Sequence, residues 1–201
     1  TGAIRESDRI KIAVTGNPVR PAIAALASSA YPSPSHEGPL NLLIIGGSQG
    51  AHLFSELVPA AIALLPLQIR ERLDIAQHCR PEDLDRVRES YATSGIQANC
   101  STFFEDVPAR LQKAHLVICR AGASTVSELA AAGRPAILIP FPHATDDHQT
   151  ANAAALKAAG GAIILCEAEA RPERLTEHLN GLLTSPRSLA KAAVAALGVG
   201  R

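Results

Sequence analysis

The sequence has no methionine and no tryptophan among its 201 residues, and aromatic residues make up only 3% of it. Proteins usually hold single-stranded nucleic acid by stacking its bases on aromatic rings. The chain also has no excess of either charge, with 19 basic and 19 acidic residues. It therefore lacks a general electrostatic attraction for a phosphate backbone or an anionic membrane surface. Both observations argue against nucleic acid as a partner.

Long hydrophobic runs are missing as well. The longest apolar stretches, 40–47 and 136–140, are far shorter than the roughly 20 residues that cross a bilayer. No transmembrane helix is expected, and no apolar secretory segment opens the chain. Because the first residue is Thr1, we expect the sequence to be part of a longer protein.

The four cysteines are widely spaced, and no two of them form a C-x-x-C pair. They are Cys79, Cys100, Cys119 and Cys166. Most lie in or beside apolar runs, which predicts buried free thiols in a reducing, cytoplasmic compartment. A zinc site is the alternative, but it needs paired short spacings that this sequence lacks.

Short apolar runs alternate with stretches of helical periodicity from residue 40 onward. Predicted strands are 40–46, 73–78, 96–103, 115–119, 135–140 and 162–166. Predicted helices between them are 51–65, 82–94, 125–132, 149–159 and 172–183. The strands show no alternation of polar and apolar residues, so we expect them to be buried on both faces. The pattern predicts an α/β fold with a doubly wound, mostly parallel, Rossmann-like sheet.

The chain divides into three parts on composition. Residues 39–185 form the predicted α/β domain. Residues 1–38 contain one strand-like run, 10–14, and a linker rich in Pro, Gly and Ser, which we interpret as a strand and linker from a missing N-terminal domain. Residues 186–201 are predicted to form a C-terminal helix.

Ligands of open α/β sheets bind beyond the carboxyl ends of the strands, so the turns there are the first places to look for a site. The turn at 46–50 leads from a strand into a helix whose N–H groups can meet an anion. It is not a dinucleotide fingerprint, because Ser48 and Ala51 occupy motif positions that should be glycine, and it lacks the Gly-Lys-Ser/Thr of a P-loop. An ordinary tight turn explains it equally well.

The turn at 119–128 is more specific. Small residues follow the strand, and a helix predicted to begin near Ser124 directs its unpaired N–H groups and positive dipole towards a ligand. This pattern predicts a diphosphate site. Glu128 has two interpretations here: it either completes a capping box with Thr125 or accepts hydrogen bonds from two ribose hydroxyls.

The third turn, 140–152, holds two histidines and two aspartates within six residues, 143–148. A metal site, a helix cap formed by Asp146 and Gln149, and recognition of sugar hydroxyls are all consistent with this composition.

Four motifs, in this order, resemble the C-terminal half of the MurG family. They are GNPVR at 16–20, GGSQG at 46–50, CRAGASTVSE at 119–128 and PFPHATDDHQ at 140–149. Members of this family are bacterial peptidoglycan N-acetylglucosaminyltransferases that convert lipid I to lipid II. The resemblance covers residues 15 to about 165. It implies a two-domain GT-B glycosyltransferase whose C-terminal domain binds UDP-GlcNAc and whose N-terminal domain binds lipid I.

The resemblance also implies roles for individual residues around the nucleotide. Arg20 would lie near the uracil, and the backbone of Phe104 would pair with the edge of the base. Glu128 would bind the ribose. Ser48 would contact the phosphates.

Further residues are implied at the diphosphate and the sugar. The backbone of Ala123, Ser124 and Thr125 would hold the diphosphate. His148 and Gln149 would contact the GlcNAc hydroxyls, although family members often have Gln where this chain has His148.

The implied reaction is an inverting transfer in which the muramyl 4-hydroxyl attacks the anomeric carbon of GlcNAc as UDP leaves. A helix N-terminus can stabilise the charge that grows on the leaving phosphate, so neither a metal nor a cofactor is expected. No catalytic residue is assigned, since the general base is expected on the N-terminal domain, and this chain alone is expected to be inactive. The longer protein is expected to be peripheral on the cytoplasmic face of the bacterial inner membrane.

Two other functions remain open at this point. One is a non-catalytic donor-binding subunit that needs a separate acceptor-binding chain. The other is a nucleotide-dependent oxidoreductase, which the incomplete glycine fingerprint disfavours.

Overall fold

The computed structural model describes residues 16–142 and 148–200, and only the backbone of 47–51. Six apolar runs form its strands: β1 (Leu40–Ile45), β2 (Leu73–His78), β3 (Ala98–Ser101), β4 (Leu116–Cys119), β5 (Ala136–Leu138) and β6 (Ala162–Ile164). They make one sheet in the order β3-β2-β1-β4-β5-β6, and all neighbouring strands are parallel. The predicted doubly wound α/β fold is confirmed.

Helices connect the strands and cover the sheet. The helices of the described residues are α1 (Pro21–Ala24), α2 (Gly47–Ala63), α3 (Leu67–Arg70), α4 (Leu84–Thr93), α5 (Val107–Lys113), α6 (Ala123–Ala132), α7 (His148–Ala159), α8 (Pro172–Leu183) and α9 (Pro186–Val199). Short 3-10 turns occur at Ala25–Ser28, Pro81–Asp83 and Glu167–Glu169. The predicted strand at 10–14 lies outside the described residues.

The core consists of two layers, one on each face of the sheet. Successive side chains of a strand point to opposite faces, so Leu42 and Ile44 pack with α2, α4 and α8, whereas Leu43 packs with α1, α5, α6 and α7. Helix α9 lies against α6 and α7. Both layers bring helix N-termini to the edge of the sheet where the strands end.

Three short helices were not expected from the sequence. Helices α1 and α3 have four residues each and α5 has seven, which is too short for a helical period to emerge from the pattern. Helix α2 also begins four positions earlier than expected, at Gly47. The predicted Gly/Ser turn is therefore the first turn of this helix.

The expectation that all strands are buried on both faces is wrong for β2 and β3, and the residues of β6 are only partly buried. Asp74 and Asn99 are exposed, and they alternate with the buried Ile75 and Cys100. On this side the two strands open into a groove of about 280 Å³ that α5 flanks. These two strands lie at one edge of the sheet, where a polar face can meet water.

The expectation for the cysteines holds at three of four positions. Cys79, Cys100 and Cys119 are buried free thiols, but Cys166 is exposed, because it lies just beyond β6 where the chain turns. Separately, the helices between residues 16 and 142 and between 148 and 200 include none that is long and apolar enough to span a membrane.

Candidate functional site

The strand order reverses between β1 and β4, which are neighbours in the sheet but not in the chain. Beyond such a switch point the connections diverge to opposite faces and leave a crevice. Gly46 connects β1 to α2, and Arg120 to Gly122 connect β4 to α6. Both helices therefore present their N-termini to the crevice, which favours anion binding. Ser48 is the second residue of α2.

Helix α6 begins at Ala123, two residues before the predicted helix 125–132 and one before the start expected near Ser124. Gly122 is its N-cap, and Ala123, Ser124 and Thr125 form its first turn. The N–H groups of a first turn have no partner within the helix. The predicted diphosphate donors thus lie together at the N-terminus of α6.

This helix start makes the capping-box interpretation of Glu128 wrong. Thr125 is the third residue of α6 rather than its N-cap, and none of the side chains that the structure describes caps the helix. Glu128 lies one turn further along and accepts two hydrogen bonds from Arg20. Its Oε1 is 2.6 Å from Arg20 Nε, and its Oε2 is 2.9 Å from Arg20 Nη2. A bidentate pair of this kind fixes the orientation of a carboxylate.

A small pocket of about 130 Å³ opens beside this ion pair. Arg20, Thr125 and Glu128 supply its polar part. Its apolar walls are Ile45, Val107, Leu111, Val117 and Leu129. The pocket combines an apolar cleft with a few convergent polar groups, which is typical of a small-molecule site.

Phe104 precedes α5, the helix that forms one wall of this pocket. Its side chain is buried, and the guanidinium of Arg110 lies 3.9 Å from the ring centroid. Arg110 also hydrogen bonds to Asp106, with 2.7 Å between Nε and Oδ1, and thereby lowers the pKa of that carboxyl. The Phe104 side chain thus packs inside the protein, and the contact of its backbone with a base stays a prediction.

Helix α7 holds the turn between β4 and α6 in place. Gln149 Oε1 accepts hydrogen bonds from the backbone N–H of Ala121 and of Phe141, at 3.1 and 3.0 Å. Asn152 Nδ2 donates to the carbonyl of Ala121 at 3.2 Å. Asp146, the other half of the predicted helix cap, lies outside the described residues. Any contact of Gln149 with a sugar must come from its amide N–H groups, and this role stays a prediction.

The remaining residues of the third motif are only partly described. His148 is the first residue of α7 and is exposed. His143, Asp146 and Asp147, on which the metal hypothesis rests, lie outside the described residues. Within 16–142 and 148–200, no group of three or more His, Cys, Asp or Glu residues is placed to hold a metal ion.

Arg120 is a central residue of this region to which sequence reasoning gave no role. It is only 8% exposed and directly follows the apolar strand β4. Its Nη1 donates to the carbonyls of Ile139 and Pro140, at 3.1 and 3.2 Å, and to the carboxylate of Glu167. One side chain thus joins the ends of β4, β5 and β6. The sequence did contain a signal for this role, because Arg120 is a charged residue between an apolar strand and a turn of small residues.

Comparison with known proteins identifies the family. The family model described as "Glycosyltransferase family 28 C-terminal domain" matches residues 41–199. The chain belongs to glycosyltransferase family 28.

Curated relatives match almost the whole of this chain. A UDP-N-acetylglucosamine--N-acetylmuramyl-(pentapeptide) pyrophosphoryl-undecaprenol N-acetylglucosamine transferase of Rhodospirillum centenum is 54% identical over 96% of this chain and 51% of that protein. The protein of the same name from Rhizobium etli is 49% identical over 100% of this chain and 54% of that protein. The chain therefore spans about half the length of these curated relatives.

A solved structure of the family superposes on the fold. The crystal structure of MurG from Acinetobacter baumannii has a TM-score of 0.74 and 36% sequence identity, covering 82% of this chain and 49% of that one. The predicted resemblance to the MurG family and the predicted GT-B fold are both confirmed.

Proposed function

We propose that this chain is the UDP-GlcNAc-binding half of an inverting glycosyltransferase that converts lipid I to lipid II. The observation that carries this proposal is the juxtaposition at the switch point of the α6 N-terminus, the small pocket and the Arg20–Glu128 pair. The α6 N-terminus suits the diphosphate of a nucleotide sugar, the small pocket suits its base, and the Arg20–Glu128 pair suits its ribose. The names of the curated relatives support the same donor and acceptor.

The proposed chemistry requires the chain to bind the donor and to stabilise its leaving group. As the bond between the anomeric carbon and the UDP oxygen breaks, negative charge grows on the β-phosphate. The first-turn N–H groups of Ala123, Ser124 and Thr125 then act as preorganised donors, together with the helix dipole. This electrostatic contribution is the one that we assign to the chain's own residues.

The remaining contacts belong to the same proposal. Ser48 contributes at the α2 N-terminus to phosphate binding, and the backbone of Phe104 contacts the base. His148 and Gln149 contribute to recognition of GlcNAc. Lipid I binds to an N-terminal domain, which also brings the longer protein to the cytoplasmic face of the membrane.

Calorimetric titration tests donor binding directly. We expect UDP and UDP-GlcNAc to bind the 201-residue chain in the presence of a chelator, because backbone donors and the helix dipole meet the phosphate charge. We expect ADP to bind much more weakly, since the pocket is small. Loss of UDP binding on chelation, or equal competition by ADP, would overturn the proposal.

Glu128→Gln tests the ribose contact. Hydrogen bonds to a charged group contribute roughly 1.5–3 kcal/mol, so UDP affinity should fall by about one to two decades. Glu177→Gln is the matched control, because Glu177 also pairs with an arginine on a helix but is exposed. Unchanged UDP affinity of Glu128→Gln would contradict the ribose contact.

A further inference from the structure

The Arg20–Glu128 pair joins two parts of the chain that are 108 positions apart. The two side chains differ in burial: that of Glu128 is 15% exposed and that of Arg20 is 55% exposed. Both side chains line the pocket, with Glu128 on α6 and Arg20 immediately before α1. The carboxylate is thus the sheltered partner, and the guanidinium reaches it from outside.

Arg20 extends from a fixed backbone. Its carbonyl accepts the N–H groups of Ile23 and Ala24, both at 2.9 Å, and the side chain of Ile23 is completely buried. Asn17 adds a second attachment, since its Nδ2 donates to Ser127 Oγ at 3.2 Å. The segment before α1 is therefore anchored on α6, and the guanidinium is held at a defined distance from Glu128.

The hydrogen-bonding capacity of the carboxylate allows a shared role. An ionised carboxylate has about four acceptor sites, and the guanidinium uses one on each oxygen. One site on each oxygen remains, which matches the two donors of a vicinal diol. A ribose can therefore bind Glu128 while Arg20 stays in place.

We propose that Arg20 is a positioning residue that orients the Glu128 carboxylate for the two ribose hydroxyls. The inference rests on the proposed function, because it takes Glu128 as the ribose acceptor. It differs from the role that the family resemblance implies, in which Arg20 acts near the uracil. The planar fork of arginine is essential to this role, since the ammonium of lysine is a point charge without bidentate geometry.

Arg20→Lys separates the two roles when its affinity for UDP is compared with its affinity for 2′,3′-dideoxy-UDP. The variant keeps the positive charge but loses the fork. We expect UDP to bind about fivefold more weakly than to the wild type, corresponding to about one hydrogen bond. The affinity for the dideoxy analogue should stay unchanged, because this analogue has no ribose hydroxyls that could donate hydrogen bonds to Glu128.

Arg20→Ala and a double variant complete the test. Arg20→Ala removes the charge as well, so we expect a loss for both ligands with an additional loss for UDP alone. In a Glu128→Gln background, Arg20→Lys should have no further effect on UDP. Melting temperatures of all variants show whether each one is folded.

The possible results are distinguishable. Equal weakening of UDP and the dideoxy analogue by Arg20→Lys would overturn the inference and favour contact with the base or the phosphates. Unchanged binding of both ligands would also overturn it. If the wild-type chain binds neither ligand, the proposed function itself fails.

Discussion

Replacing Arg120 with methionine tests whether this buried arginine holds the strand ends together. Methionine has a similar length and can still pack between the rings of Phe54 and Phe141, whose centroids are 5.5 and 5.3 Å from the guanidinium carbon. It cannot donate to the carbonyls of Ile139 and Pro140 or to Glu167. The substitution therefore removes the hydrogen bonds and preserves most of the packing.

The expected cost follows from the groups left without a donor. Each buried carbonyl that loses its partner costs about 1–3 kcal/mol. The Glu167 side chain is 28% exposed and can regain water, which reduces its contribution. We expect Arg120→Met to lower the free energy of unfolding by about 3 kcal/mol, at the lower end of the range for breaking a buried ion pair.

Urea denaturation monitored by circular dichroism measures this difference. Arg174→Met is the matched control, because Arg174 also pairs with a glutamate but both side chains are more than half exposed, at 53% and 61%. The control should cost less than about 0.5 kcal/mol. A cost for Arg120→Met that is no larger than that of the control would refute a structural role for the buried guanidinium.

Two further predictions concern stability. Burial opposes ionisation of Asp83, but hydrogen bonds from Arg86 and His52 outweigh it, so its pKa is lowered. This stabilisation is present above the ordinary carboxyl pKa of about 3.9 and is lost as the pH falls through the folded-state pKa. The destabilisation that urea denaturation measures for Asp83→Asn should therefore be largest near neutral pH and shrink below about pH 4. A destabilisation that does not change with pH would contradict this reasoning. Gly133 ends α6 at φ +61°, where an added Cβ meets a side-chain carbon at 3.1 Å, so Gly133→Ala should cost about 1–3 kcal/mol. Gly181→Ala, inside α8 with open space around it, should instead stabilise by about 0.5–1 kcal/mol, and equal effects of the two in thermal unfolding would contradict the argument.

The sequence predicted the fold well because short, mostly apolar runs alternate with stretches of helical periodicity. Predicted and observed ranges agree for Leu73–His78 and for the helix Pro172–Leu183. Helix α5 was missed because seven residues contain too few apolar positions to show a period. The open face of β2 was missed for a different reason: the polar residue Asp74 marks that face, but the run was interpreted as buried on both sides.

The motifs of the candidate site could be predicted from the sequence, but the contacts between its residues could not. The spacing of Thr125 and Glu128 is the same for a capping box as for two residues one turn apart within a helix. The position of the helix start decides between them, and Gly122 sets it. The role of Arg120 was hidden because its partners Ile139 and Glu167 lie 19 and 47 positions further along the chain.

The amide of Gln149 has a mechanical consequence for ligand binding. Because one oxygen accepts from both Ala121 and Phe141, the turn before α6 and the loop after β5 are attached to the same side chain of α7. Asn152, also on α7, adds a second hydrogen bond to Ala121. A ligand that moves the first turn of α7 should therefore also move the N-terminus of α6, because the side chains of α7 hydrogen bond to the turn before α6. Under the proposed function, the side chain that would contact the sugar also holds the turn that would bind the diphosphate, so a donor that fits the sugar end poorly should also bind less well through its diphosphate.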